Sequence, residues 1–332
     1  MKKTKNAVVS LVLALVMMVA CVVPSFAADI DDLWDTDRVY DYTDYWYIPE
    51  AAVADNSGIY DITKDIKYCK YPDTEYDLYV PNFISKSADQ HLILLMHSGA
   101  YTSGDKKQQQ CFAQYYASRG YIVGNLNYTL RAGENQDASI NMMDKEVLLC
   151  VKDIVKRTKK MGYKISTMAP AGFSAGGGLA LLYANRHQDD SPIPIAFVFE
   201  GSGVTSFYFE DWYTEKAYQT VRNKQVYVKT MTGYDVTEKQ VKNGYADKLL
   251  AKISPISYVN KNTVPTLMAH GGQDTVVPTF MSKEYKKKLK KYGVTYKYVY
   301  FENSGHTLES DPDQLLKMAA LIDEYCDTYF NE

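Results

Sequence analysis

The most constraining stretch of this chain is residues 165–184. A short strand-like run, Ile165 to Ala171, passes through Gly172-Phe173-Ser174-Ala175-Gly176 into Gly177, Gly178 and the apolar run Leu179 to Ala184, which has the composition of a buried helix. A strand that turns straight into a helix through G-x-S-x-G holds its serine on a strained turn, with the hydroxyl projecting above a sheet. Glycines two before and two after the serine fit a turn with no room for Cβ atoms. The following helix aims free N–H groups and its positive dipole end at the same point. That suits a nucleophile attacking a carbonyl. The pattern is short and also arises by chance, so its meaning depends on what stands around it.

The rest of the chain alternates. Ile66–Tyr71 and Tyr76–Val80 alternate about Pro72-Asp73 and predict a β-hairpin. His91 to His97 is an unbroken apolar run, as in a strand buried on both faces of a parallel sheet. Lys106 to Arg119 reads as a helix closed by Gly120, and Tyr121 to Asn127 as the next strand. Ile140, Met143, Val147, Val151 and Ile154 keep a helical stripe, and Gly162 follows it. After the Ser174 unit, Pro194–Gly201, Thr266–His270 and Tyr296–Phe301 read as strands. Met281, Tyr285, Leu289 and Tyr292 stripe a helix ending at Gly293. Asp311-Pro312 opens a last helix with Asp as N-cap and Pro in its first turn. The pattern predicts an α/β fold: a mostly parallel central sheet with helices on both faces. Residues 203–262 break the rhythm. Two or three helical pieces are expected there, as a cap-like insertion over the strand ends.

Sites in such sheets form at the carboxyl ends of the strands. Asp274 closes His270-Gly271-Gly272-Gln273-Asp274, just after a strand, and His306 sits in Asn303-Ser304-Gly305-His306, just after the last. Serine needs a base to take its proton, neutral imidazole does this near pH 7, and a carboxylate holds the ring in the right tautomer. Ser174, Asp274 and His306 are therefore the candidate catalytic residues. Glu200, at another strand end, is the rival acid. Glu302 and Asp311 are expected to be solvated. The loop after the first long parallel strand, His97-Ser98-Gly99-Ala100-Tyr101, can supply an oxyanion hole from the N–H groups of Gly99 and Ala100, joined by that of Ala175. His97 is expected to be a buried ring supporting this loop, and His270 is read the same way. His91 and His187 are read as surface residues.

The chain opens with Lys2, Lys3 and Lys5, an apolar run Ala7–Val23, and Ser25-Phe26-Ala27, the signature of a secretory signal peptide cleaved after Ala27. A lipoprotein anchor at Cys21 fits less well, because apolar residues continue past it. Removing this leader takes the formal net charge from −3 to −6, which argues against a nucleic-acid partner. No stable membrane insertion is expected after cleavage. Residues 28–65 are rich in Asp and Tyr and are read as an N-terminal segment before the main domain, 66–332. Cys69, Cys111, Cys150 and Cys326 match no zinc spacing, and their pairing is open; Cys150 lies on an apolar helix face and is expected to be a buried thiol. No metal-ligand cluster is evident and the chemistry needs no cofactor.

Four motifs together resemble a known group: HSGAYTSGD at 97–105, NYTL at 127–130, GFSAGG at 172–177, and HGGQDTVVP at 270–278 followed by SGH at 304–306. Over about residues 66–330 the chain is similar to the α/β-hydrolase superfamily, specifically the hormone-sensitive-lipase-like and acetyl- or feruloyl-esterase-like (BD-FAE-like) carboxylesterases. The resemblance implies an α/β-hydrolase fold and a serine esterase of the EC 3.1.1 kind, acting through an acyl-enzyme on small-molecule or polysaccharide-linked short-chain esters. It also places Tyr128 beside the oxyanion loop in a supporting role. Ser98 stands where the group has a glycine and Thr129 where it has an arginine. Two other readings fit the same residues: a prolyl-oligopeptidase-like serine peptidase, and a catalytically inactive binding module.

Overall fold

The computed structural model describes residues 58–133 and 135–330. The leader, Cys21 and most of the Asp- and Tyr-rich segment lie outside the described residues.

Eight strands form one sheet in the order β1-β2-β4-β3-β5-β6-β7-β8. They are β1 (Tyr60–Lys67), β2 (Glu75–Pro81), β3 (Asp89–Met96), β4 (Ile122–Leu126), β5 (Lys164–Phe173), β6 (Val198–Gly201), β7 (Thr266–Gly271) and β8 (Tyr296–Phe301). β2 runs antiparallel to both its neighbours, and β3 to β8 are parallel throughout. The period of two explains why the central strands are apolar at every position. Leu92, Leu94 and Met96 enter one core, while Ile93 and Leu95 enter the other.

Helix α1 (Gln110–Ser118) and the C-terminal Pro312–Tyr329 helix cover the second core. On the first lie α2 (Ile140–Lys160), α3 (Ala175–Arg186) and Thr279–Tyr292. α2 starts where Ser139 accepts a hydrogen bond from the Met142 N–H, and it buries Met143, Val147, Cys150, Val151 and Ile154. Between β6 and β7 stand α4 (Phe209–Trp212), α5 (Val221–Thr232), α6 (Glu238–Lys242), α7 (Tyr245–Ala251) and α8 (Pro255–Tyr258). Tyr227, Val228 and Met231 of α5, and Leu249 and Leu250 of α7, join the core of α2 and α3. The two helices after these are α9 (Thr279–Tyr292) and α10 (Pro312–Tyr329).

Several expectations are corrected. The hairpin's first strand starts at Tyr60, not Ile66, so the sheet reaches back into the segment placed before the domain. Its pairing shifts between Thr63 and Ile66, and Asp65 has φ 54°. The bulge breaks the alternation, and the residues before it are exposed, so no period-2 signal reaches Tyr60. Residues 203–262 hold five short α-helices rather than two or three. Most are too short to show a 3.6-residue period. β6 starts four residues later than Pro194, with only an isolated bridge from Ile195 to Met168. The 106–119 helix begins as a 3-10 turn, Lys106–Gln109, capped by the Asp105 carboxylate on the Lys107 N–H. All four described cysteines are free, and Cys150 is buried.

Candidate active site

Register brings the strand ends together. Met96 of β3 pairs with Gly172 of β5, Gly172 with Glu200 of β6, and Glu200 with Met268 of β7. The chain leaves β5 through Ser174, whose φ of 53° and ψ of −118° lie outside the usual regions for a residue with a Cβ. The conformation is held by Ser174 N–H donating to Gly201 O at 2.8 Å and by Gly178 N–H donating to Ser174 O at 2.9 Å. The glycines around it make room. A Cβ on Gly176 would stand 2.0 Å from Met96 O and 2.6 Å from His97 O, and one on Gly172 2.4 Å from the Gly176 carbonyl carbon. Only bare backbone lets α3 approach the end of β3 this closely.

Ser174 Oγ lies 2.8 Å from His306 Nε2, and His306 Nδ1 lies 2.8 Å from Asp274 Oδ2. The carboxylate beside Nδ1 assigns the proton there, which leaves Nε2 as acceptor for the serine hydroxyl. Asp274 is 7% exposed. Burial alone would raise its carboxyl. The His306 charge and hydrogen bond, His270 and the Val277 N–H outweigh this and hold it below its ordinary range. Its second oxygen accepts from Val276 and Val277 N–H at 2.8 and 3.0 Å. Glu200 is not part of this chain of bonds. It is 1% exposed, and its Oε2 accepts from Gly203 N–H at 2.7 Å.

The loop after β3 is wound backwards: Gly99, Ala100 and Tyr101 have φ of 118°, 51° and 66°. Gly99 O accepts from Thr102 and Ser103 N–H at 3.0 and 2.9 Å, which closes the turn. Ala175 is the first residue of α3, where a backbone N–H has no intrahelical partner. His97 is fully buried and stacks on Tyr128 with centroids 4.2 Å apart and planes 8° off parallel. Tyr128 O–H donates to His97 O at 2.9 Å. Burial pushes the His97 ring down to about 4, so it is neutral, and its Nδ1–H donates to Ser98 O at 2.6 Å. His270 is likewise buried, with Nε2 3.0 Å from Val277 O and 3.3 Å from Asp274 Oδ2.

Other residues steady the site that the sequence reading left aside. Asn127 accepts from Lys106 N–H and donates to Asp105, and Asn125 donates to Lys106 O at 2.7 Å, so two polar residues in or beside β4 pin the far end of the oxyanion loop. Their signal is asparagine within an apolar strand run. Ser202 Oγ–H donates to His306 O at 3.0 Å. Asp311 occupies the N-cap position of α10 without capping it. Its carboxylate instead accepts from Asn303 N–H and Ser304 O–H, at 3.0 and 2.6 Å, and ties down the loop that carries His306. Thr129 binds Glu146 through both its N–H and its hydroxyl, at 2.9 and 2.7 Å.

Two histidines read as surface residues are not. His187 is 5% exposed, with Nε2 3.0 Å from Asp144 and Nδ1 2.7 Å from Asp190. His91 is half-buried and stacks on Phe330 with centroids 4.7 Å apart. Both sit where a neighbouring aromatic or acid covers them, which local sequence does not reveal.

The BD-FAE family model matches residues 76–289. An acylamino-acid-releasing enzyme of Arabidopsis thaliana is 26% identical over 71% of this chain, which spans 30% of that protein's length. A solved esterase of Thermogutta terrifontis, Est2 in its native form, superposes with a TM-score of 0.63 at 17% identity over 82% of this chain and 92% of its own. Esterase B of Lactobacillus rhamnosis gives 0.62 at 17% identity over 84% and 92%. The Thermogutta esterase is also solved phosphoramylated by tabun. At these identities the structural likeness shows the fold.

Proposed function

The chain belongs to the BD-FAE family of α/β-hydrolase carboxylesterases, and from that premise we propose that it is an exported serine esterase that removes short, acetyl-type acyl groups carried on plant polysaccharide. Ser174 is the nucleophile. His306 Nε2 takes the Oγ proton as Oγ bonds to the ester carbonyl carbon. The carbonyl oxygen becomes an oxyanion, received by the N–H groups of Gly99, Ala100 and Ala175. The carbon–oxygen bond to the leaving alcohol then breaks, and His306 hands that alcohol its proton. Water repeats the sequence on the acyl-enzyme, with His306 as base, and releases the acid and Ser174. Asp274 holds the imidazole tautomer and offsets the imidazolium charge. His97 and Tyr128 support the oxyanion loop by stacking. In related chemistry, removing one oxyanion donor costs about 3–4 kcal/mol.

The observation that carries this reading is the unbroken line Ser174–His306–Asp274, with both links at 2.8 Å. The test is hydrolysis of p-nitrophenyl acetate. The protein is expected to turn it over, and Ser174→Ala to lower kcat by about 10⁶. Equal rates in the two proteins would refute the assignment. Release of acetate from acetylated xylan checks the substrate class, and an exported form beginning at Ala28 checks the leader.

The Arabidopsis relative favours a second reading, cleavage of an acyl-amino acid from a peptide. Faster turnover of an N-acetyl-aminoacyl anilide than of the ester would establish it. A folded protein unlabelled by a fluorophosphonate would instead be a binding module.

A further inference from the structure

Helix α9 stands apart in an acidic chain. Between Lys283 and Lys291 it carries six lysines and one acid, Glu284. Lys287 is paired with Glu284 at 3.4 Å, and Lys288 Nζ donates to Ile256 O. Among the described residues, Lys283, Lys286, Lys290 and Lys291 have no ion-pair partner. Lys283, Lys286 and Lys290, spaced three and four apart, form one stripe about 10 Å long at 1.5 Å per residue, and Lys291 turns about 100° aside at its end. Beside it runs β8, the last strand of the sheet, whose Tyr296, Tyr298 and Tyr300 point to the α9 side by alternation. Lys286 Nζ sits 4.7 Å over the Tyr298 ring, Lys283 5.6 Å over Tyr300, and Lys291 5.6 Å over Tyr292. Tyr300 and Tyr292 are 37% and 39% exposed.

One end of this stripe is at the site. α9 begins five residues after Asp274, so Lys283 stands one turn beyond the loop that carries it. The Tyr300 hydroxyl lies 2.7 Å from where a Cβ on Gly272 would stand, against the turn that leads to Asp274. Lysines on an edge strand block edge-to-edge pairing, but that explains Lys297 on β8 and not the helix.

We propose that this lysine–tyrosine stripe is a docking surface for an acidic polysaccharide, a chain of uronate-bearing sugars, and that it guides the ester carried on that chain to Ser174. The tyrosine rings hold the lysines that lie over them in a row, and those ammonium groups meet the uronate carboxylates. A narrow stripe running into a site matches an extended chain rather than a plane. A membrane-binding face would bring several Trp, Phe or Leu side chains, where this one has only Phe280 at its end. Residues 279–301 contain no arginine, the residue that grips phosphates in bidentate fashion.

The destination of the ester rests on the esterase reading, but binding does not, so binding is measured in Ser174→Ala protein, which cannot turn over. Its migration is followed in native gels containing polygalacturonate, glucuronoxylan or neutral xylan. The uronate polymers should retard it and neutral xylan should not, with retardation fading as salt rises. The combined variant Lys283→Gln, Lys286→Gln, Lys290→Gln, Lys291→Gln, checked for an unchanged melting temperature, should bind at least about tenfold more weakly, from a few-fold per exposed pair. Equal affinity in that variant overturns the proposal. So does equal retardation by neutral xylan, no retardation by either uronate polymer, or preferential sedimentation with phosphatidylglycerol vesicles.

Discussion

Replacing Glu200 with glutamine should change how stability depends on pH, in a direction opposite to that of most carboxylates. Glu200 closes β6 under the first turn of α3, and a Cβ on Gly177 would come within 3.3 Å of its Oε2. Its Oε1 has no partner among the described residues. Burial outweighs the hydrogen bond from the Gly203 N–H and leaves the carboxyl raised from 4.5 to about 8. Between those two values the folded protein keeps a proton that the unfolded chain gives up. Stability is therefore fully present below 4.5, falls by about 1.4 kcal/mol per pH unit as pH rises, and levels off above the folded value. From pH 5.5 to 7.5 the loss is about 2.5 kcal/mol, because the slope eases as the folded value is approached. Glutamine has the same shape, can accept from Gly203 N–H through its carbonyl, and does not titrate. At roughly 2 °C per kcal/mol for a chain of this size, the melting temperature of Glu200→Gln should gain about 5 °C on that of the parent over this pH range. His187, whose protonation its two carboxylates favour against burial, also loses its contribution as pH rises, but it is present in both proteins and cancels. Melting curves of the two proteins at pH 5.5, 6.5 and 7.5 give the difference directly. A gap that stays constant would show that Glu200 is ionised at neutral pH, and the account of its burial would be wrong.

Asp274→Asn presents an amide to His306 Nδ1 and should lower kcat on p-nitrophenyl acetate by about 10⁴; a loss under tenfold would mean that another group orients the ring. Because the Asp274 carboxyl is held below its ordinary 3.8, its contribution to stability is present above that value and is lost as pH falls through the lower, folded one, so the same variant should lose less melting temperature than the parent below pH 4. Gly176→Ala must push a methyl group into the Met96 and His97 carbonyls, backbone atoms that cannot swing aside, and should cost about 3 kcal/mol in urea denaturation. A cost below 1 kcal/mol would mean that the turn tolerates a shift.

The parts of this molecule that are legible in the sequence are those that sheet geometry forces. A strand buried on both faces has to be apolar at every position, so β3 announces itself, and a parallel sheet collects its strand ends on one side, so residues just after strands are neighbours by construction. Ser174, Asp274 and His306 are found together by that rule alone. The same rule cannot separate Asp274 from Glu200, since both follow strands. What separates them is how the chain turns afterwards. Beyond β7 the chain folds back so that Val276 and Val277 N–H hold one carboxylate oxygen and leave the other for the imidazole. Beyond β6 it turns at once, and the Gly203 N–H takes an oxygen of Glu200 beneath α3. Both carboxylates keep one oxygen clear of the backbone, but Asp274 aims its free oxygen at His306 Nδ1, while that of Glu200 lies buried beneath α3 with no partner among the described residues; where the free oxygen points is a property of loop conformation and not of residue type. Asp311 obeys the same logic, since a carboxylate placed to cap α10 is drawn instead to the unpaired donors of the His306 loop. Strand-end position therefore nominates the site residues, and the way the following loop aims each carboxylate's free oxygen decides which of them meets the imidazole.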